Sequence, residues 1–409
     1  MAKVLAYTSP ARGHLFPVVP ILSELQARGH DVALRTLASQ VETMRGLGVD
    51  AQPVDPAIEA IGHDDYLART PIGSNRRSVR AFCARAVHDA PDLRRAIDAE
   101  RPDALLVDVN AFGAIAAAEA WGGPWAVWCP YPLPLPSRDA PPFGPGLKPA
   151  RGPVGRARDA ALRPLLFKTL ERIVTPRVNE IREGVGLAPL SGAEALFAAP
   201  PLLLYLTAEP FEYPRGDWPA NVRMVGPCAW DPPADPPAWL DESDEPLVLV
   251  TTSSEFQDDG RLARTALEAL ADEPVHVVAT LPSARIGPGE VPPNARVLEF
   301  VPHAPLLERA ACVLTHGGMG ATQKALARGV PVCAVPFGRD QLEVARRVEV
   351  AGAGSRLPAQ RLRADRLRAK AREAIGRRAG AQRVAAGFEA AGGPPAAAAA
   401  FEALLAPAR

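Results

Sequence analysis

An apolar run at 312–314 passes through Thr315 into His316, Gly317, Gly318, Met319 and Gly320, and from there into a helical pattern. Such a turn is built to hold phosphate. Glycines let the backbone come close to an anion, and a helix opening near Met319 aims free N–H groups and the positive end of its dipole at it. His316 adds a further donor, and Thr322, in the first turn of the helix, adds a hydroxyl. A second apolar run at 330–335 leads past Pro336 to Asp340 and Gln341. There a carboxylate and an amide suit two neighbouring hydroxyls of a sugar. Phosphate and polyol chemistry thus lie one βα unit apart.

Two other strand ends carry polar groups: a loop at 9–14 that ends in His14, and the pair Ser253 and Ser254. In doubly wound sheets ligands bind beyond the carboxyl ends of the strands, so these loops are expected to face one another across a cleft. The first loop has no G-x-G-x-x-G and no Walker-type loop occurs in the chain, which counts against dinucleotide redox chemistry and ATP hydrolysis. Ser253 and Ser254 fit a helix cap and a diphosphate contact equally well. His30, His63, His88 and His276 have no comparable context.

The His-Gly-Gly turn at 316–318, the Ala-Leu-x-x-Gly-Val-Pro run at 325–331, Pro336 and the pair Asp340 and Gln341 together resemble the donor site of the family 1 glycosyltransferases. The form of the turn favours the bacterial natural-product subgroup. Val301 and His303, with Leu306 and Leu307, look like the family's base-binding stretch, although Phe300 or Val301 stands where many members place a tryptophan. The resemblance implies an α/β chain of GT-B fold, with two facing Rossmann-like domains, an interdomain cleft and a C-terminal helix crossing back to the first domain. It also implies sugar transfer from a nucleotide diphosphate sugar to a lipophilic acceptor. A thymidine diphosphate deoxysugar is favoured over a UDP-sugar on resemblance alone.

Transfer to an alcohol needs a base, and an imidazole with an ordinary pKa of about 6.5 suits that work at neutral pH. His14 is the candidate. Asp108, closing a later strand, would hold the other ring nitrogen and stabilise the imidazolium. Family members carry this dyad at matching positions, whereas Asp108 read alone fits a helix N-cap. No Asp-x-Asp occurs and the histidines form no metal cluster, so neither a metal nor a cofactor is expected, the nucleotide diphosphate sugar being a co-substrate. Leaving-group charge would then fall to His316, the helix N-terminus and the hydroxyls. In-line attack implies inversion. A sugar-nucleotide epimerase of the same fold and a noncatalytic sugar-nucleotide-binding auxiliary protein are the alternatives.

Strand and helix patterns alternate through the chain, as a parallel sheet covered on both faces requires. Strands are expected at 4–8, 31–36, 104–108, 125–129 and 202–206, with helices at 17–28, 111–120 and 156–185. Between them a Pro- and Gly-dense stretch at 130–153 reads as a long surface loop. In the second half strands are expected at 247–251, 275–280, 297–301, 312–314 and 330–335, with a helix at 260–270. The acidic, proline-rich stretch 231–246 reads as the linker between an acceptor-binding domain at 1–230 and a donor-binding domain at 247–390, with the crossing helix in 391–409. The loop after residue 60, Phe112, Trp128, Phe143 and the helices up to 180 are expected to line the acceptor site.

A chain of 409 residues suits two domains. Its 46 basic and 46 acidic residues balance to a net charge of zero, which favours neither nucleic acid nor an anionic membrane as partner. No stretch reaches the roughly 18 uninterrupted apolar residues of a membrane span, and the N-terminal run is too short for a signal peptide. A cytoplasmic protein is expected, with homodimerisation left open. Five scattered cysteines without a C-x-x-C spacing suggest neither disulfides nor zinc.

Overall fold

A computed structural model describes residues 1–406 apart from 69, 256, 258, 283–285 and 288–290. Seven strands form the first sheet: β1 (Lys3–Tyr7), β2 (Asp31–Thr36), β3 (Asp50–Pro53), β4 (Ala104–Asp108), β5 (Trp125–Cys129), β6 (Leu202–Tyr205) and β7 (Val222–Met224). Six form the second: β8 (Leu247–Thr251), β9 (His276–Thr280), β10 (Ala295–Leu298), β11 (Ala310–Thr315), β12 (Val332–Ala334) and β13 (Gly354–Arg356). Their orders are β3-β2-β1-β4-β5-β6-β7 and β10-β9-β8-β11-β12-β13. Every pairing is parallel. Each sheet is therefore doubly wound, and the switch points beside β1 and β8 lie at one cleft.

Strand residues alternate between two cores in each half, as their period of two demands. In β5, Trp125, Val127 and Cys129 join one core with Phe112 and Leu133, whereas Ala126 and Trp128 join the other with Leu15 and Phe401. The C-terminal helix, Gly393–Leu405, supplies Ala397, Ala398 and Phe401 to that second core. Arg28 and His30 hold it through Glu402, at 2.8 and 3.0 Å, so it does cross back to the first half. No helix among the described residues is long and apolar enough to cross a membrane.

Two helices depart from expectation. The first begins at Arg12, not at 17, and carries Pro17 and Pro20 inside it. Proline favours the first helical position because its missing N–H is no loss there. Here the helix accepts that loss in its interior and thereby places His14 in its opening turn. The region after residue 60 is mostly a 30-residue helix, Pro71–Glu100, capped by Thr70, whose hydroxyl accepts from Gly73 N–H at 3.1 Å. Pro91 lies within it.

Candidate functional site

His14 sits in the opening turn of Arg12–Ala27 with its Nδ1 2.8 Å from Asp108 Oδ1. Asp108 ends β4 and has no solvent exposure. Its carboxylate also accepts from Ser9 N–H at 3.0 Å, the Ser9 hydroxyl at 2.6 Å and Asn110 N–H at 2.9 Å. Burial opposes ionisation of Asp108, but His14 and these donors outweigh it and hold the carboxyl below its usual range. Burial likewise opposes charge on His14. The neighbouring Asp108, with smaller contributions from Glu255 and Asp340, outweighs it and raises the imidazole above its ordinary value. Trp128 does not reach the cleft. It is buried beneath His14, and its indole N–H donates to the His14 carbonyl at 3.2 Å, so it supports His14 from below.

The glycine turn lies across the cleft. Gly317 has a φ of 87°, open to glycine at little cost, and a Cβ on Gly318 would stand 2.4 Å from His316 Nε2. The ring of His316 is folded over Gly318, where a side chain would push it aside. Gly320 has nothing within 4 Å of where a side chain would start, which leaves the N-terminus of Met319–Ala327 accessible. Burial lowers the pKa of His316 to about 4, so it is a neutral donor at pH 7. Thr322 is fully buried and does not line the cleft. Its hydroxyl and the amide nitrogen of Gln323 have no hydrogen-bond partner in the protein.

Ser253 and Ser254 do not cap a helix, since the next one starts at Gly260 after Asp259. Ser253 Oγ accepts from Gln257 at 2.8 Å, and Gln257 in turn accepts from the Gln341 amide at 2.6 Å. The Gln341 carbonyl oxygen accepts from the N–H groups of Phe337 and Gly338, at 2.8 and 3.1 Å. Gln341 thus shapes the turn that presents Asp340, whose pKa burial raises. His303 opens its helix with Nε2 3.2 Å from Thr280 Oγ1 and is lowered to about 4 by burial.

One cavity of about 1110 Å³ joins these groups. His14, Ser253, Ser254, Val301, His303, His316, Gly318, Met319, Gly320, Asp340 and Gln341 line it, and so do Phe112 and Phe143. Asp108 and Gly317 stand just behind the wall. On the side of the first sheet the lining is aromatic and aliphatic, with Phe82, Phe112, Tyr131, Phe143, Phe167 and Phe197. Such a surface fits a flat or bulky apolar ligand.

Sequence reasoning did not find several groups that shape this cavity. Arg339, with a φ of 52°, reaches across the cleft to Asp65 with two bonds of 2.8 Å and binds Glu255 of its own half at 3.0 Å. Deeper, buried Arg347 binds Glu212 at 2.8 Å and Glu343 at 3.0 Å. Glu343 also accepts from the N–H groups of Gly144 and Gly146, at 2.8 and 2.9 Å. The Pro-rich loop beside the apolar pocket is therefore fastened to the helix that follows Asp340. Asn110 and Tyr131 complete the surroundings of His14. Asn110, Tyr131 and Arg339 follow strand ends, a place that gives no partner, and Glu343 and Arg347 lie inside a helix.

Residues 264–404 match the family model of the C-terminal domain of erythromycin biosynthesis protein CIII-like proteins. The chain is 35% identical over 375 residues to 4'-demethylrebeccamycin synthase of Lentzea aerocolonigenes, covering 88% of each protein. Among solved structures it resembles the glycotransferase of kitacinnamycin, with a TM-score of 0.75 and 26% identity over 99% of each chain. It shares its fold with the glycosyltransferase VinC in complex with dTDP, at a TM-score of 0.71 and 22% identity, covering 98% of this chain and 99% of that one.

Proposed function

The chain belongs to the family 1 glycosyltransferases of bacterial natural-product biosynthesis and is a nucleotide-sugar-dependent enzyme, and from that premise we propose that it inverts the donor sugar as it moves it to a hydroxyl of a lipophilic natural product. The observation that carries this reading is the single cavity with the His14–Asp108 pair on one wall and the 316–320 turn on the other. The acceptor oxygen attacks the anomeric carbon while its proton passes to His14 Nε2. The bond from that carbon to the diphosphate oxygen breaks, and the electron pair leaves with the phosphate. Backbone N–H groups at the start of Met319–Ala327 and the neutral His316 meet the developing charge. Asp108 stabilises the imidazolium.

The sugar lies between Asp340 and His14, and the aromatic side of the cavity takes the acceptor. A thymidine diphosphate deoxysugar is the favoured donor, supported by the form of the glycine turn and by a protein of like fold that carries dTDP. A thermal-shift panel of TDP, UDP and GDP tests the donor, because a ligand at 100 times its dissociation constant stabilises a fold by about 2.7 kcal/mol. The largest shift is expected with TDP, and a larger shift with UDP or GDP would reverse the donor assignment. With the matching nucleotide sugar, free nucleotide diphosphate is expected to appear only when an alcohol acceptor is present. Release or epimerisation without an acceptor would contradict transfer.

A further inference from the structure

The imidazole of His14 is held at both nitrogens. Asp108 is ionised and accepts at every contact, so its neighbour Nδ1 carries the ring proton. In the neutral ring Nε2 is then a bare lone pair, and Asn110 Nδ2 stands 3.1 Å from it. An amide nitrogen only donates. The amide oxygen of Asn110 is thereby left to accept from the Tyr131 hydroxyl, and it does so at 3.0 Å. The backbone N–H of the same residue donates to Asp108 Oδ1 at 2.9 Å. Asn110 thus touches both members of the pair, and unlike Asp108 it lines the cavity.

We infer that Asn110 is a positioning residue for the base, holding His14 neutral with its Nε2 lone pair directed at the place an acceptor hydroxyl must occupy, and yielding that place when the acceptor binds. The inference rests on His14 being the base. It answers a difficulty in the pair itself. A buried carboxylate against Nδ1 favours the imidazolium, a form that cannot take a proton, whereas a donor against Nε2 favours the neutral ring. Tyr131 fixes which end of the amide faces His14. Glu255 and Asp340 from the second half also act on the ring, and the two carboxylates add to the pull of Asp108. Asn110 is the neutral donor among them.

The test is the pH profile of kcat/KM, whose acid limb reports the base in the free enzyme. Asn110→Asp keeps the shape and replaces the donor with a second carboxylate. Its acid limb is expected to move up by about one pH unit or more, with the rate at neutral pH lowered and largely regained at high pH. Asn110→Ala is expected to shift the limb in the same direction by less, with kcat down about tenfold at neutral pH and acceptor KM little changed. Tyr131→Phe is expected to give the smallest shift of the three. Profiles that superimpose on the parent, or losses that high pH does not restore, would overturn the inference. His14→Ala assayed alongside separates the two readings. If it is inactive while the Asn110 variants are unshifted, only the role of Asn110 fails. If it turns over like the parent, the base assignment falls and the inference falls with it.

Discussion

His14 and His316 lie just past strand ends on opposite walls of one cavity, and their surroundings differ in kind. His14 has a partner at each ring nitrogen and a raised pKa. His316 is lowered to about 4 by burial, beside glycines that leave the helix N-terminus open. Both ring nitrogens of the first are engaged before any ligand arrives, which fixes the angle of the imidazole. Around the second, the start of the helix Met319–Ala327 is left open, an arrangement that suits an anion. On the proposed function, the same doubly wound architecture serves proton transfer on one side and anion binding on the other.

Variants that disable one wall should leave the work of the other intact. The largest effect is expected from His14→Ala. Transfer should fall by roughly 10² to 10⁴-fold, with affinity for the nucleotide diphosphate unchanged in a titration. Asp108→Asn should lose most of the rate as well, because an amide orients the ring without stabilising its charge. Turnover near the parent's in either variant would break the comparison.

The fastening between the halves comes next. Arg347→Ala would leave Glu212 and Glu343 buried without their cation, a loss of about 3 to 5 kcal/mol, readable as a lower Tm. An exchange of residues 1 to 235 for those of a relative is expected to change the acceptor and keep the donor. It should fold well only where the incoming half supplies a carboxylate at 212 and a glycine at 146, since a Cβ there would stand 2.4 Å from the Leu342 carbonyl oxygen. An unchanged Tm in Arg347→Ala would show that the two halves do not depend on this contact.

His316→Ala should act on the opposite wall from His14→Ala. It removes a hydrogen bond to an anionic ligand, about 1.5 to 3 kcal/mol, and nucleotide diphosphate affinity is expected to fall roughly ten- to a hundredfold. Unaltered affinity in a calorimetric titration would remove His316 from the donor site. The smallest expected effect is that of a chelator. With the diphosphate met by N–H groups, EDTA should leave the rate as it was, and a loss restored by magnesium or manganese would overturn that reading.

Much of this arrangement was legible in the sequence because punctuated apolar runs have few ways to fold. β4, β5, β8 and the helix Gly260–Leu270 lie where their patterns place them. The glycine turn was legible for the same local reason. Pro17 misleads because it looks like a helix start, and Pro91 hides a long helix by standing inside it. Trp128 shows the limit of reading a strand end: both faces of β5 pack into cores, so an aromatic ring close to the end of the strand is still buried and does not face the cavity. The contacts of Asn110 with His14, Arg339 with Asp65 and Arg347 with Glu212 were not legible, because those partners lie far away in the chain and only the folded sheets bring them together.

On the proposed function, the second half holds the donor and the first half supplies the base. A crystal structure with thymidine diphosphate bound tests it most directly. The diphosphate is expected on the N–H groups of the 318–320 turn, within hydrogen-bond reach of His316, with its terminal phosphate pointing toward Asp340 and His14. A nucleotide seated on the 9–14 loop would contradict the account and reverse the roles of the two halves.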